Sequence, residues 1–163
     1  MVTEGETAPD FTLEGYGDGD VRAFTLSEAL ADGRPAILAF YIYDYSPVCA
    51  DQMCEMNDME FVTFNNQASV FGISTDGPYS HREFATDNDL SYPLLTDDDR
   101  TVYEQYGMLV TDEDGKQKPR RGIVVVDGDR TVRYKWVAAD NWDPWSVTPL
   151  EEANEVVNRL TGR

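Results

Sequence analysis

The sequence has few of the side chains that bind metals or form disulfide frameworks. Its 163 residues include two cysteines, Cys49 and Cys54, and one histidine, His81. Secreted mini-proteins stapled by disulfides carry more cysteines at wider spacings, so that class is excluded. Two cysteines and one histidine are too few for a structural zinc site. Because the sequence has a single histidine, a Ser-His-Asp triad is not expected either. A cysteine–histidine dyad requires His81 beside Cys49, and we expect His81 to be exposed on a helix.

Long hydrophobic runs are also absent. The longest, from Ala36 to Tyr43, covers eight residues, whereas a membrane-spanning helix needs about twenty. The first residues, Met1 to Glu4, have neither the basic nor the apolar part of a signal region. We therefore expect a soluble, intracellular protein located in the cytoplasm. The length predicts a single domain, residues 1–163, and the 41% hydrophobic content is enough to bury a core.

Positive charge is scarce. The sequence has 13 basic against 31 acidic residues, which gives a net charge of -18. Such a surface repels phosphate backbones and anionic lipid, so neither a nucleic acid nor a membrane is expected as a partner. Self-repulsion of this size weakens a folded protein at low salt and is screened in molar salt. We interpret the composition as halophilic; an ordinary acidic protein is the alternative.

Hydrophobic patterning predicts strands that alternate with helices. The first half is predicted to contain an extended segment Thr7–Leu13, a short helix Glu28–Ala31 capped by Ser27, a buried strand Ala36–Tyr43, a helix Pro47–Asn65 and a strand Ser69–Ser74. The second half is predicted to contain a helix opened by a capping box at Ser80–Glu83, an extended piece Tyr92–Leu95, a helix Asp99–Tyr106, a hairpin of Arg121–Val126 with Thr131–Val137, and a last helix opened by a capping box at Thr148–Glu151.

This order of elements predicts the fold class. From Ala36 onward the chain reads strand, helix, strand, helix, short helix, two-strand hairpin, helix. A parallel βαβ unit followed by an antiparallel ββα unit forms a mixed sheet with helices on both faces. We therefore expect an α/β protein with a thioredoxin-like fold.

Cys49 lies where a buried strand gives way to a helix. Ser46, Pro47 and Val48 are predicted as the N-cap, N1 and N2 residues, which places Cys49 at N3. The free N–H groups and the positive end of the helix dipole favour a thiolate at that position. Cys49 is therefore a candidate nucleophile, and the alternative is a small buried apolar residue.

Cys54 follows five residues later in the same predicted helix. Five helical residues rise about 7.5 Å and turn about 140°, so the two cysteines cannot bridge while the helix is intact. This spacing differs from the Cys-x-x-Cys pair of thioredoxin. Two interpretations remain open: Cys54 is a buried helix residue, or it resolves an oxidised Cys49 after the first turns unwind.

Residues 42–49 resemble the reactive motif of the peroxiredoxins, specifically the bacterioferritin-comigratory, Q-type branch and its one-cysteine relatives. That family carries Pro-x-x-x-Thr-x-x-Cys where this chain has Ile42-Tyr43-Asp44-Tyr45-Ser46-Pro47-Val48-Cys49. The resemblance extends to Ala8–Phe11, to Tyr92–Asp97 and to Arg121, six residues before Asp127.

The resemblance implies a thiol peroxidase that reduces hydrogen peroxide and organic hydroperoxides without a metal or organic cofactor. It implies that Cys49 is the peroxidatic cysteine, that Ser46 and Arg121 donate to the peroxide, and that Cys54 occupies the resolving position. The reductant implied is a thioredoxin-type or low-molecular-weight thiol, and the protein would be a monomer or a homodimer. Two alternatives are a disulfide oxidoreductase of the same fold and a non-catalytic thioredoxin-like binding module.

Three positions depart from the family pattern or complicate it. Ile42 replaces the proline that shields the thiolate, and Gln52 replaces a glutamate often found three residues after the cysteine. Arg120 and Arg121 are adjacent, and neighbouring strand residues point to opposite faces, so only one of them can reach Cys49. The spacing favours Arg121, and we expect Arg120 to pair with surface carboxylates.

Overall fold

The computed structural model describes residues 1–59, 67–141 and 146–162. Its strands are β1 Thr12–Gly17, β2 Asp20–Thr25, β3 Ala36–Phe40, β4 Ser69–Ser74, β5 Leu94–Thr96, β6 Leu109–Thr111, β7 Gln117–Pro119, β8 Gly122–Val126 and β9 Val132–Val137. Its helices are α1 Leu26–Ala29, α2 Pro47–Met59, α3 Pro78–Asp87, α4 Thr101–Gln105 and α5 Thr148–Thr161. Over this part of the chain no helix combines the length and apolar character needed to cross a membrane.

Seven strands form one mixed sheet in the order β2-β1-β5-β4-β3-β8-β9. Strand β4 pairs in parallel with both β3 and β5, whereas β8 pairs antiparallel with β3 and with β9. Strands β6 and β7 form a separate antiparallel hairpin. The predicted α/β class with a mixed central sheet is therefore confirmed.

Strand β3 is the centre of the core, and all five of its residues are buried. Ile37 and Ala39 face a cluster with residues of α2, α3 and α5. Leu38 and Phe40 face the opposite cluster, which includes residues of α1 and α4. A strand covered on both faces explains why the sequence shows a continuous apolar run at this point instead of alternation.

Sequence analysis missed two hairpins. The segment predicted only as extended leads into β1, which pairs with β2 across a turn in which Asp18 and Gly19 have positive φ angles of 55° and 77°. An Asp-Gly turn is a hairpin signal, and here it was overlooked because the flanking strands are largely polar. The β6–β7 hairpin is likewise short and largely exposed.

Three of the four predicted N-caps are wrong. Helix α1 begins after Thr25, and the N–H of Ser27 donates to Asp10 Oδ1 at 3.0 Å. Helix α3 begins at Pro78 after Gly77, so the Ser80 side chain lies within the first turn. In α5 the N-cap is Val147, with no capping side chain, and proline again occupies the first turn. A proline with its fixed φ sets the start of α3 and α5 in place of a serine or threonine cap.

Helix α2 begins at Pro47, as predicted. Its described part ends at Met59, and the remainder of the predicted helix, to Asn65, lies outside the described residues. Both cysteines therefore lie in one continuous described helix, and both are free thiols.

Candidate active site

Cys49 is completely buried where the end of β3 meets the first turn of α2. The chain leaves the sheet after Phe40, and a loop of residues 41–46 leads into helix α2 at Pro47. Within this turn the backbone N–H of Ile42 donates to Cys49 Sγ at 3.3 Å. The sulfur therefore contacts both the end of the central strand and the start of the helix.

The first turn of α2 presents backbone donors around Cys49. The N–H of Ala50 donates to the Ser46 carbonyl at 2.8 Å, which places Ser46 at the N-cap position. The N–H groups of Val48 and Cys49 precede that first helical bond, and at the start of a helix such groups favour an anion. The Ser46 hydroxyl does not cap them, because it donates to the Tyr43 carbonyl at 2.9 Å.

His81 is not exposed, as the sequence suggested, but fully buried against Asp44. Its Nδ1 lies 2.9 Å from Asp44 Oδ2, and its Nε2 lies 3.1 Å from the Leu95 carbonyl oxygen. A backbone carbonyl only accepts, so Nε2 carries a proton. The expected surface histidine is instead a buried anchor, and it bonds to Asp44 instead of Cys49.

The Asp44 carboxylate also accepts hydrogen bonds from two hydroxyl groups. Tyr41 donates to Oδ1 at 2.7 Å, and Ser80 of α3 donates to Oδ2 at 2.8 Å. The backbone N–H of Asp44 donates to Asp76 Oδ2 at 2.6 Å, and burial raises the pKa of Asp76. The loop before α2 is thus tied to α3 and to the residues that follow β4.

Tyr45 forms a second, exposed link between the same loop and α3. Its backbone has a φ of 68°, a left-handed conformation that is strained for a tyrosine. The ring packs 5.1 Å from that of Phe84, and the hydroxyl donates to Asp87 Oδ2 at 2.6 Å. This hydrogen bond raises the pKa of Tyr45 to about 12. The strained residue is held in place immediately before Ser46.

Arg121 is buried immediately before β8. Gly122 pairs with Phe40, so Arg121 lies level with the residues that follow β3. Its Nε donates to the Asn141 carbonyl at 2.8 Å, and its backbone N–H donates to Asn141 Oδ1 at 2.9 Å. The guanidinium lies 5.9 Å from the centre of the Trp136 ring. These contacts hold the guanidinium in one orientation.

Arg120 binds a different pair of backbone carbonyls. Its guanidinium donates to the Ala138 carbonyl at 3.5 Å and to the Ala139 carbonyl. The expected partners, surface carboxylates, are therefore replaced by backbone carbonyls. Both arginines lie between β7 and β8, outside any strand, so strand alternation does not decide between them.

Cys54 and Gln52 lie further along α2. Cys54 is partly exposed, its thiol donates to Asn88 Oδ1 at 3.5 Å, and burial together with Asp58 and Asp51 raises its pKa. Cys54 is therefore protonated at neutral pH. Gln52 is fully buried, and neither its amide nitrogen nor its oxygen has a hydrogen-bond partner within the described residues.

A cleft of about 360 Å³ opens over Ile42. Tyr43, Pro119 and Asn141 are among its lining residues, and Asn141 is also the residue that holds Arg121. A larger cleft of about 410 Å³ lies between β2, α1 and β4, away from Cys49. In the described ranges no three His, Cys, Asp or Glu side chains are grouped to hold a metal ion.

Comparison with known proteins identifies the family. The sequence profile of the AhpC/TSA family matches residues 5–135. The chain belongs to the AhpC/TSA family. Peroxiredoxin Q, a chloroplastic protein from Oryza sativa subsp. japonica, is 36% identical over 133 residues, which are 82% of this chain and 58% of that protein. The chain thus spans little more than half the length of this relative, and the resemblance to peroxiredoxins is confirmed.

Solved structures of AhpC/TSA proteins show the same fold. Peroxidoxin BcpB from Mycobacterium tuberculosis is 31% identical, with a TM-score of 0.80 and 98% of each chain covered. AhpC from Enterococcus faecalis is 21% identical, with a TM-score of 0.83 over 100% of this chain and 96% of that one. At that identity the second match supports the fold alone. The predicted thioredoxin-like fold is confirmed.

Replacing Asp44 with alanine tests the buried anchor. The change leaves the buried His81, Tyr41 and Ser80 groups without their shared acceptor, so we expect a loss of about 3–5 kcal/mol in the free energy of unfolding. Urea denaturation at pH 7 measures it. Asp87→Ala is the matched control, because it removes the exposed link between the same loop and α3 and should cost far less. Equal losses in the two variants would contradict the anchoring role of Asp44.

Proposed function

We propose that the chain is a thiol-dependent peroxidase that reduces hydrogen peroxide and organic hydroperoxides through Cys49. One observation carries the proposal: the Cys49 sulfur lies at the first turn of α2 and accepts a buried backbone N–H. Membership of the AhpC/TSA family supports it, as do the relatives named as peroxiredoxin Q and peroxidoxin BcpB.

The proposed reaction needs no group beyond the thiolate and the peroxide. The Cys49 thiolate attacks one peroxide oxygen, the O–O bond breaks, and the second oxygen leaves as hydroxide or alkoxide, which takes a proton from water. Cys49 is oxidised to sulfenic acid, and the peroxide is reduced to water or an alcohol. Negative charge develops on the leaving oxygen, so fixed donors near Cys49 accelerate the step.

Three groups are proposed as those donors. The free N–H groups at the start of α2 and the guanidinium of Arg121 are held in place before the substrate binds, which is the condition for effective transition-state stabilisation. The Ser46 hydroxyl now donates to Tyr43 and must rotate to reach a peroxide. The cleft over Ile42 is the proposed entry route, because Cys49 itself is completely buried.

The sulfenic acid is then proposed to react with a thiol. If Cys54 resolves it, a disulfide forms and water leaves, which requires the first turns of α2 to unwind because both cysteines lie in one helix. If Cys54 does not resolve it, an external thiol does. A thioredoxin-type or low-molecular-weight thiol is the proposed reductant, with the protein acting as a monomer or homodimer. The wide spacing disfavours the disulfide oxidoreductase alternative.

Cys49→Ser tests the function. The substitution removes the nucleophile with almost no change in volume, so peroxide consumption with a thiol reductant should fall to background while the circular dichroism spectrum is unchanged. Intact mass after one equivalent of peroxide supplies the second readout. A loss of two hydrogens in the unmutated chain indicates a Cys49–Cys54 disulfide, and a gain of one oxygen indicates a persistent sulfenic acid.

Cys54→Ser is the matched control for the mass measurement. It keeps Cys49, so it should gain oxygen whichever mode of resolution operates. Turnover above a few per cent in Cys49→Ser, or oxidation of Cys54 in its place, would refute the proposed function.

The two adjacent arginines provide an internal comparison. Arg121→Ala should slow the oxidation of Cys49 by about 10²-fold, the scale for losing a preorganised donor to a developing negative charge. Arg120→Ala should change it little, because that side chain binds the Ala138 and Ala139 carbonyls. Stopped-flow oxidation at several peroxide concentrations measures both. A larger defect in Arg120→Ala would show that Arg120, and not Arg121, is the donor.

We also propose that residues 1–163 form a single domain, that the protein works in the cytoplasm and that its source is halophilic. The net charge of -18 supports the last point. The acidic residues are spread along the chain, and their mutual repulsion destabilises the folded state at low ionic strength.

Thermal melts in KCl test the halophilic interpretation. Raising the salt shortens the screening length from about 10 Å at 0.1 M to about 3 Å at 1 M, so the melting temperature should rise over that range. A rise that continues well above 1 M requires ion hydration or salting-out as well. A melting temperature that stays flat or falls from 0.05 to 3 M would refute a halophilic origin and leave the peroxidase proposal untouched.

A further inference from the structure

We propose that the backbone N–H of Ile42 is a direct hydrogen-bond donor to the reacting Cys49 thiolate. The inference rests on the proposed peroxidase function and assigns a new catalytic group to it. Ile42 occupies the position where the peroxiredoxin motif has proline, and proline has no N–H to donate. The departure from the motif therefore adds a donor to this site.

The position of Ile42 at the end of β3 explains why its N–H is available. Phe40 is the last residue of β3 to pair with its neighbours, and the N–H of Tyr41 still reaches the Ile73 carbonyl at 3.0 Å. One residue later the chain has left the sheet, and the N–H of Ile42 makes its hydrogen bond to Cys49 Sγ. Donation to the sulfur replaces the ladder bond that the sheet no longer supplies.

Burial makes this bond significant. Ile42 is 6% exposed and Cys49 is 0% exposed, so water does not compete for the N–H. A buried N–H without an acceptor is costly, and a neutral thiol is a weak acceptor. A thiolate accepts much more strongly, so ionisation of Cys49 satisfies the donor. The bond therefore favours the ionised sulfur over the neutral thiol.

Other ionisable groups surround this turn and must be separated from Cys49 in any titration. Tyr103 donates to the Tyr41 carbonyl, and burial together with the charges of Asp97 and Cys49 raises its pKa well above the usual value. Asp44 lies two residues after Ile42 and is hydrogen-bonded to His81 of α3. Arg121 stays charged at all accessible pH values.

Two substitutions at position 42 separate the N–H from the side chain. Ile42→Pro removes the donor, and Ile42→Val keeps it with a similar branched apolar side chain. Both are made with Cys54→Ser, so that Cys49 is the remaining thiol, and alkylation by iodoacetamide is followed from pH 5 to 10. We expect the midpoint of the Ile42→Pro profile to move up by about one pH unit, which makes alkylation below both midpoints about three- to tenfold slower than in Ile42→Val.

The alkaline end of the profile distinguishes lost thiolate stabilisation from a damaged pocket. Above both midpoints the sulfur is fully ionised, and a thiolate with fewer donors is the stronger nucleophile. Ile42→Pro should therefore react there as fast as Ile42→Val or up to about threefold faster. Identical profiles, or an equal slowing at every pH, would overturn the proposal.

The backbone amide of Ile42 in the unmutated protein provides a test that does not depend on the folding of Ile42→Pro. The sequence has four isoleucines, Ile37, Ile42, Ile73 and Ile123, so labelling with ¹⁵N-isoleucine gives four amide signals. The Ile42 amide proton should shift with the ionisation of Cys49 far more than the other three. That shift should vanish in Cys49→Ser, whereas any shift caused by His81 and Asp44 should remain. An Ile42 signal that moves no more than the others would refute the donor role.

These measurements also separate this inference from the proposed function. Iodoacetamide alkylation and the amide shift require no peroxide turnover. An inactive Cys49→Ser together with an unresponsive Ile42 amide would refute the donor alone. An active Cys49→Ser would refute the peroxidase proposal, whatever the Ile42 amide does.

Discussion

The buried pair of Asp44 and His81 is the constraint on which the site depends. The pair fixes the loop between β3 and α2 against α3, and that loop determines where α2 begins. Where α2 begins in turn determines that Cys49 lies in its first turn and that its sulfur faces the N–H of Ile42. A buried pair of polar groups can do this inside the protein, because the hydrogen-bonding groups around it satisfy one another.

The site lies at the carboxyl ends of the parallel strands, where an open α/β sheet places its ligands. Tyr103 joins two of those ends, since its hydroxyl donates to the carbonyls of Tyr41, after β3, and Ile73, near the end of β4. Its N–H donates to Asp97 Oδ2 at 2.8 Å, just beyond β5. Helix α4 on the opposite face of the sheet therefore helps to hold the loop that positions Cys49.

The central strands and the place of Cys49 at the start of α2 could be predicted because short-range patterns determine them. The apolar run of β3 and the proline at the start of α2 are local signals, and the spacing to Asp127 favoured Arg121, which is buried. The burial of His81 was not predicted, although His81 shares a buried face of α3 with Phe84 and Ala85 at helical spacing. Its bond to Asp44 joins residues 37 positions apart, which no local pattern reveals.

A thiolate in a chain with a net charge of -18 needs local donors. The surface charges oppose a further negative charge, but they act over long distances and are screened by salt. The N–H of Ile42 donates directly to the buried Cys49 sulfur, and the other donors proposed for the site would likewise act at short range. Salt should therefore change the stability of the whole fold more than the reactivity of Cys49. An acidic surface and an anion-stabilising site can coexist, because the surface repulsion is long-range and screened by salt, whereas the hydrogen bonds of the site act at contact distance.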